Sequence, residues 1–205
     1  WLTADEEPET PAKTLGRAYH CRVLEPARFA ETYVVLPDFG DMRSSKNRAQ
    51  RDGWLAERPN MVPIVQDSAI LIERMRDGLF ANPNIEGLFS EGEAETTLRW
   101  VDERTGLRCK ARPDWRRPRI YADLKSTEDA SPEGFARSVV KFGYHLQHAH
   151  YVDGGNACGD PIDNFLIVAQ EKEAPYVAQV YQIDAAAEAR GFELRERGLQ
   201  ILDRC

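Results

Sequence analysis

The sequence is poor in the features that would mark a secreted, membrane-bound or cysteine-ligated protein. Its four cysteines, Cys21, Cys109, Cys158 and Cys205, are far apart. Zinc and iron–sulfur sites usually show a short Cys-x-x-Cys pair, and none occurs here. Disulfide frameworks belong to small, loop-rich secreted domains, so these residues are read as free thiols in a reducing cytoplasm. No apolar run approaches the roughly 18–20 residues that cross a bilayer, so no membrane partner is expected. The acidic stretch Trp1 to Thr10 lacks the basic-then-apolar layout of a signal peptide. An initiator Met is missing too, as in a fragment or a processed chain. Internal repeats and low-complexity segments are also absent.

An excess of positive charge is lacking as well: 27 Lys and Arg face 34 Asp and Glu, a net charge of −7. Distribution matters more than the sum. Arg99, Arg104, Arg108, Lys110, Arg112, Arg116, Arg117 and Arg119 crowd one stretch, and Arg43, Lys46, Arg48 and Arg51 form a second cluster. Such runs alone most often make a solvated, mixed-charge surface. What lies between them gives them interest.

At 205 residues the chain suits one ordinary domain with a real core. Residues 1–13 read as an irregular lead-in, with Pro8 and Pro11 as breakers, and residues 14–205 as a single domain. Thr14 is the expected cap of a first helix that stops near Pro26. Phe29 to Leu36 reads as extended, and residues 37–60 as a loop with a short helix near Lys46–Leu55. Ile70, Leu71, Met75 and Leu79 mark an amphipathic helix that opens at Asp67 or Ser68 and ends at Asn82-Pro83. Glu93 to Val101, Leu107 to Pro113 and Arg119 to Ser126 alternate with period two, as a three-stranded meander. Ser131-Pro132 starts a helix expected to run through Phe142 and Leu146 to Gly154-Gly155. Asn164 to Ala169 and Tyr176 to Ile183 are two more strands, and Asp184 caps a final helix to about Leu202. The expected class is α/β, a central mixed sheet flanked by helices.

Chemistry concentrates in Arg-Pro-Asp114 on one strand and Asp123-Leu-Lys125 on the next. Period-two geometry puts Asp123 and Lys125 on one face, about 6.5–7 Å apart along the strand. If the strands pair, Asp114 meets the same patch. Two converging carboxylates need a cation or a proton between them. Mg²⁺ takes hard oxygen ligands, typically one or two carboxylates. Lys125 beside it can orient, or help deprotonate, an attacking water. Asp-x-Lys alone occurs by chance in many proteins, and the Asp114 partner is what gives it weight. Glu95 can add a carboxylate, with Glu93 as an alternative two residues earlier. His20 is a candidate ligand, and a site of oxygens plus one imidazole accepts Mg²⁺ or Mn²⁺. Gln147 and Tyr151, one helical turn apart, share a face. His145, His148 and His150 are spread around their helix, which makes a poor zinc pattern.

In this order the pieces resemble the RecE-type phage and bacterial exonucleases, in the RecB and lambda-exonuclease branch of the PD-(D/E)xK superfamily. The likeness rests on Gly16-x-x-x-His20, Glu95, Arg112-Pro113-Asp114-Trp115, Asp123-Leu124-Lys125-Ser126-Thr127 and Tyr144-His145-x-Gln147-x-x-x-Tyr151, and runs from about Leu15 to Leu202. It implies a PD-(D/E)xK nuclease core in which His20, Asp114, Asp123 and the Leu124 carbonyl ligate metal, with Glu95 at or near a second ion. It gives Lys125 the nucleophilic water and Gln147 and Tyr151 a supporting place. It further implies 5′ to 3′ digestion of linear double-stranded DNA in the bacterial cytoplasm, a trimeric or tetrameric ring, and a single-strand annealing protein as partner. Fourteen residues precede Leu15, fewer than the family usually carries there. Either that part lies outside this sequence or the protein is a compact member. The rival expectations are another nuclease of the superfamily, such as an endonuclease, and a non-catalytic DNA-binding module.

Overall fold

The computed structural model describes residues 10–204, which divide into two compact units between Asp77 and Gly78, inside a helix. The expectations for Pro8 and Cys205 fall outside the described residues.

In the first unit, helix α1 (Pro11–Leu24) opens three residues earlier than expected. Thr10 is its cap, accepting from the Lys13 N–H at 3.3 Å. Pro11 occupies the first helical position, where its missing N–H costs nothing, so it starts the helix rather than breaking it. A second proline restarts the chain as α2 (Pro26–Thr32), so only the end of the expected extended stretch is a strand, β1 (Tyr33–Val35). Helix α3 (Ser45–Ala56) forms where a short helix was expected, capped by Ser44. Strand β2 (Val62–Ile64) pairs in parallel with β1. Helix α4 (Gln66–Phe80) forms where the amphipathic helix was expected, with Met75 and Leu79 buried, but Ile72 is buried in the stripe while Ile70 is 40% exposed.

The second unit adds α5 (Pro83–Leu88), β3 (Glu93–Ala94), β4 (Leu98–Val101), β5 (Arg108–Ala111), β6 (Trp115–Arg117) and β7 (Ile120–Thr127). Then come α6 (Pro132–Phe142), α7 (Tyr144–Ala157), β8 (Asn164–Glu171), β9 (Ala178–Gln182) and α8 (Ala185–Asp203). Five strands form one mixed sheet in the order β3-β6-β7-β8-β9. β7 and β8 are parallel, and α6 and α7 make the crossover that parallel neighbours require. The other pairs are antiparallel. The expected meander is split: β4 and β5 form a separate hairpin, and the chain returns to the sheet through β6.

The long helix expected from Ser131 is also split. Gly143 sits at φ 69°, a left-handed conformation that ends α6 and redirects the chain into α7. Tyr121, Phe165, Ile167 and Ala169 lie on one sheet face and pack with Phe135, Trp100 and Leu98. At Gly191, α8 comes so near α7 that an added Cβ would stand 2.1 Å from the His145 carbonyl oxygen. Cys21, Cys109 and Cys158 are free thiols. No helix among the described residues is long and apolar enough to cross a membrane.

Candidate active site

Strand β7 is buried on both faces from Tyr121 to Leu124; it starts apolar and turns polar with Asp123, Lys125, Ser126 and Thr127. The register with β8 sets Tyr121 beside Phe165, Asp123 beside Ile167 and Lys125 beside Ala169. Both charges thus sit at the end of an otherwise apolar face, and Asp123 is only 1% exposed. A carboxylate so removed from water has to be held by partners.

Helix α7 crosses this face and supplies one. The Gln147 amide donates to Asp123 Oδ1 at 2.8 Å and to the Tyr151 hydroxyl at 3.2 Å. The Tyr151 hydroxyl donates in turn to the Arg112 carbonyl at 3.0 Å. The shared face expected of Gln147 and Tyr151 is therefore used to aim one carboxylate. Asp123 Oδ2 accepts no hydrogen bond of normal geometry; its contact is an ion pair with Lys125 Nζ.

Asp114 follows Pro113 at the entrance to β6, not within the preceding strand as expected. The antiparallel pairing of Trp115 with Ala122 brings it level with the middle of β7. Its Oδ2 accepts the Leu124 N–H at 2.7 Å. A strand residue's N–H and C=O leave the same edge, so the Leu124 carbonyl also faces the Asp114 side. Glu95 arrives by a kink. It adopts φ 55°, uncommon for a side chain of its kind, and breaks the expected strand into β3 and β4. Its N–H binds the Asp114 carbonyl at 3.0 Å, and Arg112 grips its carboxylate at 2.5 Å and its carbonyl at 3.1 Å. A carboxylate oxygen of Glu95 lies within 4.8 Å of one from Asp114.

The kink also settles Glu93. Two residues earlier on a regular strand would share Glu95's face, but the reversal at Glu95 turns Glu93 away. Glu93 is largely exposed and pairs with Arg116 at 3.3 Å. His20 belongs to the first unit, half-buried on α1 with its ring edge-on to Tyr19. The other histidines diverge: His145 meets the Val139 carbonyl, His148 meets Glu188 and His150 meets the Lys110 carbonyl. Two residues absent from the sequence-based set belong to the site: Arg112, which fixes Glu95 and anchors Tyr151, and Tyr144, whose ring lies 5.1 Å from Lys125 Nζ. Both stand inside the motifs that suggested the site, and that adjacency is the signal that could have found them.

The electrostatics are those of an overfilled acidic patch. Burial pushes the Asp114 carboxyl well above the usual range, and the neighbouring Asp123 charge adds to it. Burial alone would lower the Lys125 pKa, but the charges of Asp123 and Asp114 outweigh it and raise the value. Lys125 is thus firmly an ammonium. Lys125 and Arg112 together do not neutralise three close carboxylates, and an oxygen of Asp123 lacks a hydrogen bond. A hard divalent cation fits that donor set. Bound there it would supply charge neutralisation and a water of lowered pKa, with Asp114, Asp123, Glu95 and the Leu124 carbonyl as its holders.

A five-stranded mixed sheet whose central strand carries Asp-x-Lys, with a second Asp on the strand beside it, defines a domain of the PD-(D/E)xK nuclease class. Residues 2–205 match the family model described as the PDDEXK-like domain of unknown function, DUF3799, and the chain belongs to that family. Among solved structures it is similar to a putative exonuclease from Eubacterium rectale, with a TM-score of 0.63 and 14% identity, covering 97% of this chain and 68% of that one. At that identity the likeness shows the fold. A second structure, SSO0001, matches at a TM-score of 0.35 and 13% identity over 93% of this chain and 86% of that one, too low to carry weight. No curated protein matches the sequence.

Proposed function

We propose that the protein is a Mg²⁺-dependent exodeoxyribonuclease that hydrolyses phosphodiester bonds from the ends of linear double-stranded DNA, 5′ to 3′, leaving 3′ overhangs. The observation that carries this reading is the convergence of Glu95, Asp114 and Asp123 around Lys125, with Asp123 held by Gln147.

The residues divide the work. Glu95, Asp114 and Asp123 hold the cation, and the resemblance adds His20 to them. Mn²⁺ is a substitute that the same donors accept. Lys125 orients the attacking water and faces the phosphate charge. Gln147 and Tyr151 fix the Asp123 carboxylate so that little rearrangement is needed as charge builds on the phosphate.

The hairpin gives further support for a polyanionic substrate. Arg99 lies directly opposite Lys110, and Arg108 follows on the same exposed face. Like charges paired across strands destabilise a hairpin, and a nucleic-acid backbone would relieve them. Much of the remaining basic stretch is neutralised within the protein: Arg116 pairs with Asp160, Arg119 with Asp163 and Arg104 with Glu196. Strand polarity, the ring-shaped homo-oligomer of three or four subunits, the annealing partner and the bacterial cytoplasm rest on the resemblance to RecE-type enzymes.

The test is digestion of a linear duplex labelled at one 5′ end, with Mg²⁺ or EDTA, beside a closed circle. Release of labelled mononucleotide only with Mg²⁺, the circle staying intact, is expected. Nicking of the circle would make the enzyme an endonuclease, and binding without cleavage would make it a DNA-binding module.

A further inference from the structure

Next to Lys125 the second unit contains a cavity of about 460 Å³ to which the chemistry above assigns nothing. It opens where β7 ends at Ser126 and Thr127 and is roofed by α6. Its volume lies in the range of small-ligand sites. The lining combines an aromatic surface with a surplus of cations: Phe142, Tyr144, Arg137, Lys141 and Lys172, opposed by Glu128 and Asp129. Arg137 faces Asp129 at 3.6 Å, whereas Lys141 and Lys172 form no ion pair among the described residues, and the Lys141 Nζ lies 5.1 Å from the centre of the Phe142 ring. Phe142 is 59% exposed although it is a large apolar ring. It stacks on Tyr144 at 5.7 Å, and Tyr144 in turn underlies Lys125. A ladder of rings therefore runs from the catalytic lysine into the cavity.

We propose that this cavity is a nucleotide subsite, in which a base next to the bond being cut stacks on Phe142 while Lys141 and Lys172 hold its flanking phosphates. The inference rests on the nuclease reading and deepens it. An exposed ring offers every base a π-face once the long Lys141 side chain swings from it to a phosphate, and cations lining a groove track the backbone. A base reaches Phe142 only when it has left the duplex, so the occupant is an unpaired nucleotide at a frayed or already unwound end.

The test uses the full chain in two assays: anisotropy of a fluorescent single-stranded oligonucleotide in EDTA, and steady-state digestion of linear duplex with Mg²⁺. The variants are Phe142→Leu, which keeps apolar volume without the π-face, and Lys141→Gln with Lys172→Gln. Val140→Ser, on the same helix outside the cavity and 75% exposed, is the control. Phe142→Leu should weaken oligonucleotide binding about tenfold and raise KM with little change in kcat. The double lysine variant should also flatten the salt dependence, by about one unit of slope or slightly more. The control should behave as wild type. Unchanged binding and KM in both variants would overturn the subsite while leaving the nuclease intact. Phe142-dependent binding by a wild-type protein that cuts nothing would sink the nuclease reading and leave the subsite standing.

Discussion

The second unit buries charge in two places, and they are built on opposite principles. Around Arg195, which is 4% exposed, each carboxylate is held by direct bonds. Its guanidinium reaches Asp102 at 3.1 Å and Asp153 at 2.6 Å. Asp102 Oδ1 accepts from the Thr105 hydroxyl at 3.0 Å and the Thr105 N–H at 3.1 Å, which closes the β4–β5 turn. Burial works against the Asp102 carboxylate, yet these bonds and Arg195 outweigh it and hold its pKa below normal. Around Lys125 a buried carboxylate is instead disfavoured: burial and the neighbouring Asp123 charge drive Asp114 the other way. One cluster ties a hairpin to α7 and α8. The other stores repulsion that a cation would release.

The contrast breaks most visibly under substitution. Asp123→Ala or Lys125→Ala should abolish cleavage while circular dichroism and the melting transition stay native-like. A folded Lys125→Ala protein that cut DNA at the normal rate would refute the assignment. Arg195→Ala should do the reverse. Removing one member of a buried ion cluster strands its partners and costs about 3–5 kcal/mol, read by denaturant unfolding, with cleavage retained by whatever remains folded. A smaller loss is expected from Gln147→Ala, on the order of 10–100-fold in activity, as for residues that orient metal ligands. Tyr151→Phe, which keeps the ring and removes only the hydroxyl between Gln147 and Arg112, should fall below that.

The smallest effect separates the clusters by pH. Asp114 has a folded pKa above its ordinary value of 3.8. The folded protein therefore holds a proton that the unfolded chain has released, and metal-free stability should fall as pH rises from about 3.8 through the folded value. Asp102 is depressed, so its contribution is present above the ordinary value and is lost as pH falls through its folded one. Melting in EDTA across this range should show the first slope in wild type and not in Asp114→Asn. Equal slopes would mean that Asp114 is not the strained group.

Where local chemistry decides a structure, the sequence was readable. Ser131-Pro132 and Asp184 start helices where their capping side chains say they should, and the alternation of β7 puts Asp123 and Lys125 on one face. Apolar periodicity misled where backbone conformation overrides it. The spacing of Phe135, Val139, Phe142 and Leu146 continues through Gly143, so the break there is invisible to a hydrophobic pattern. The same holds at Glu95, where alternation predicts a straight strand and tertiary bonds to Asp114 and Arg112 impose a turn. Three-residue strands such as β1, β2 and β6 exist through their partners rather than their own composition. The convergence of Asp114, Asp123 and Lys125 was legible from strand pairing, but the place of Arg112 and Tyr144 beside them was not, because it depends on contacts across three elements.

The central claim, that the acidic patch is a divalent-metal site, is tested most directly by titrating Mn²⁺ into the folded protein and into folded Asp123→Asn at neutral pH. The account predicts saturable binding by the wild type that the single carboxylate-to-amide change removes. Equal binding by both proteins, or none by the wild type, would contradict it.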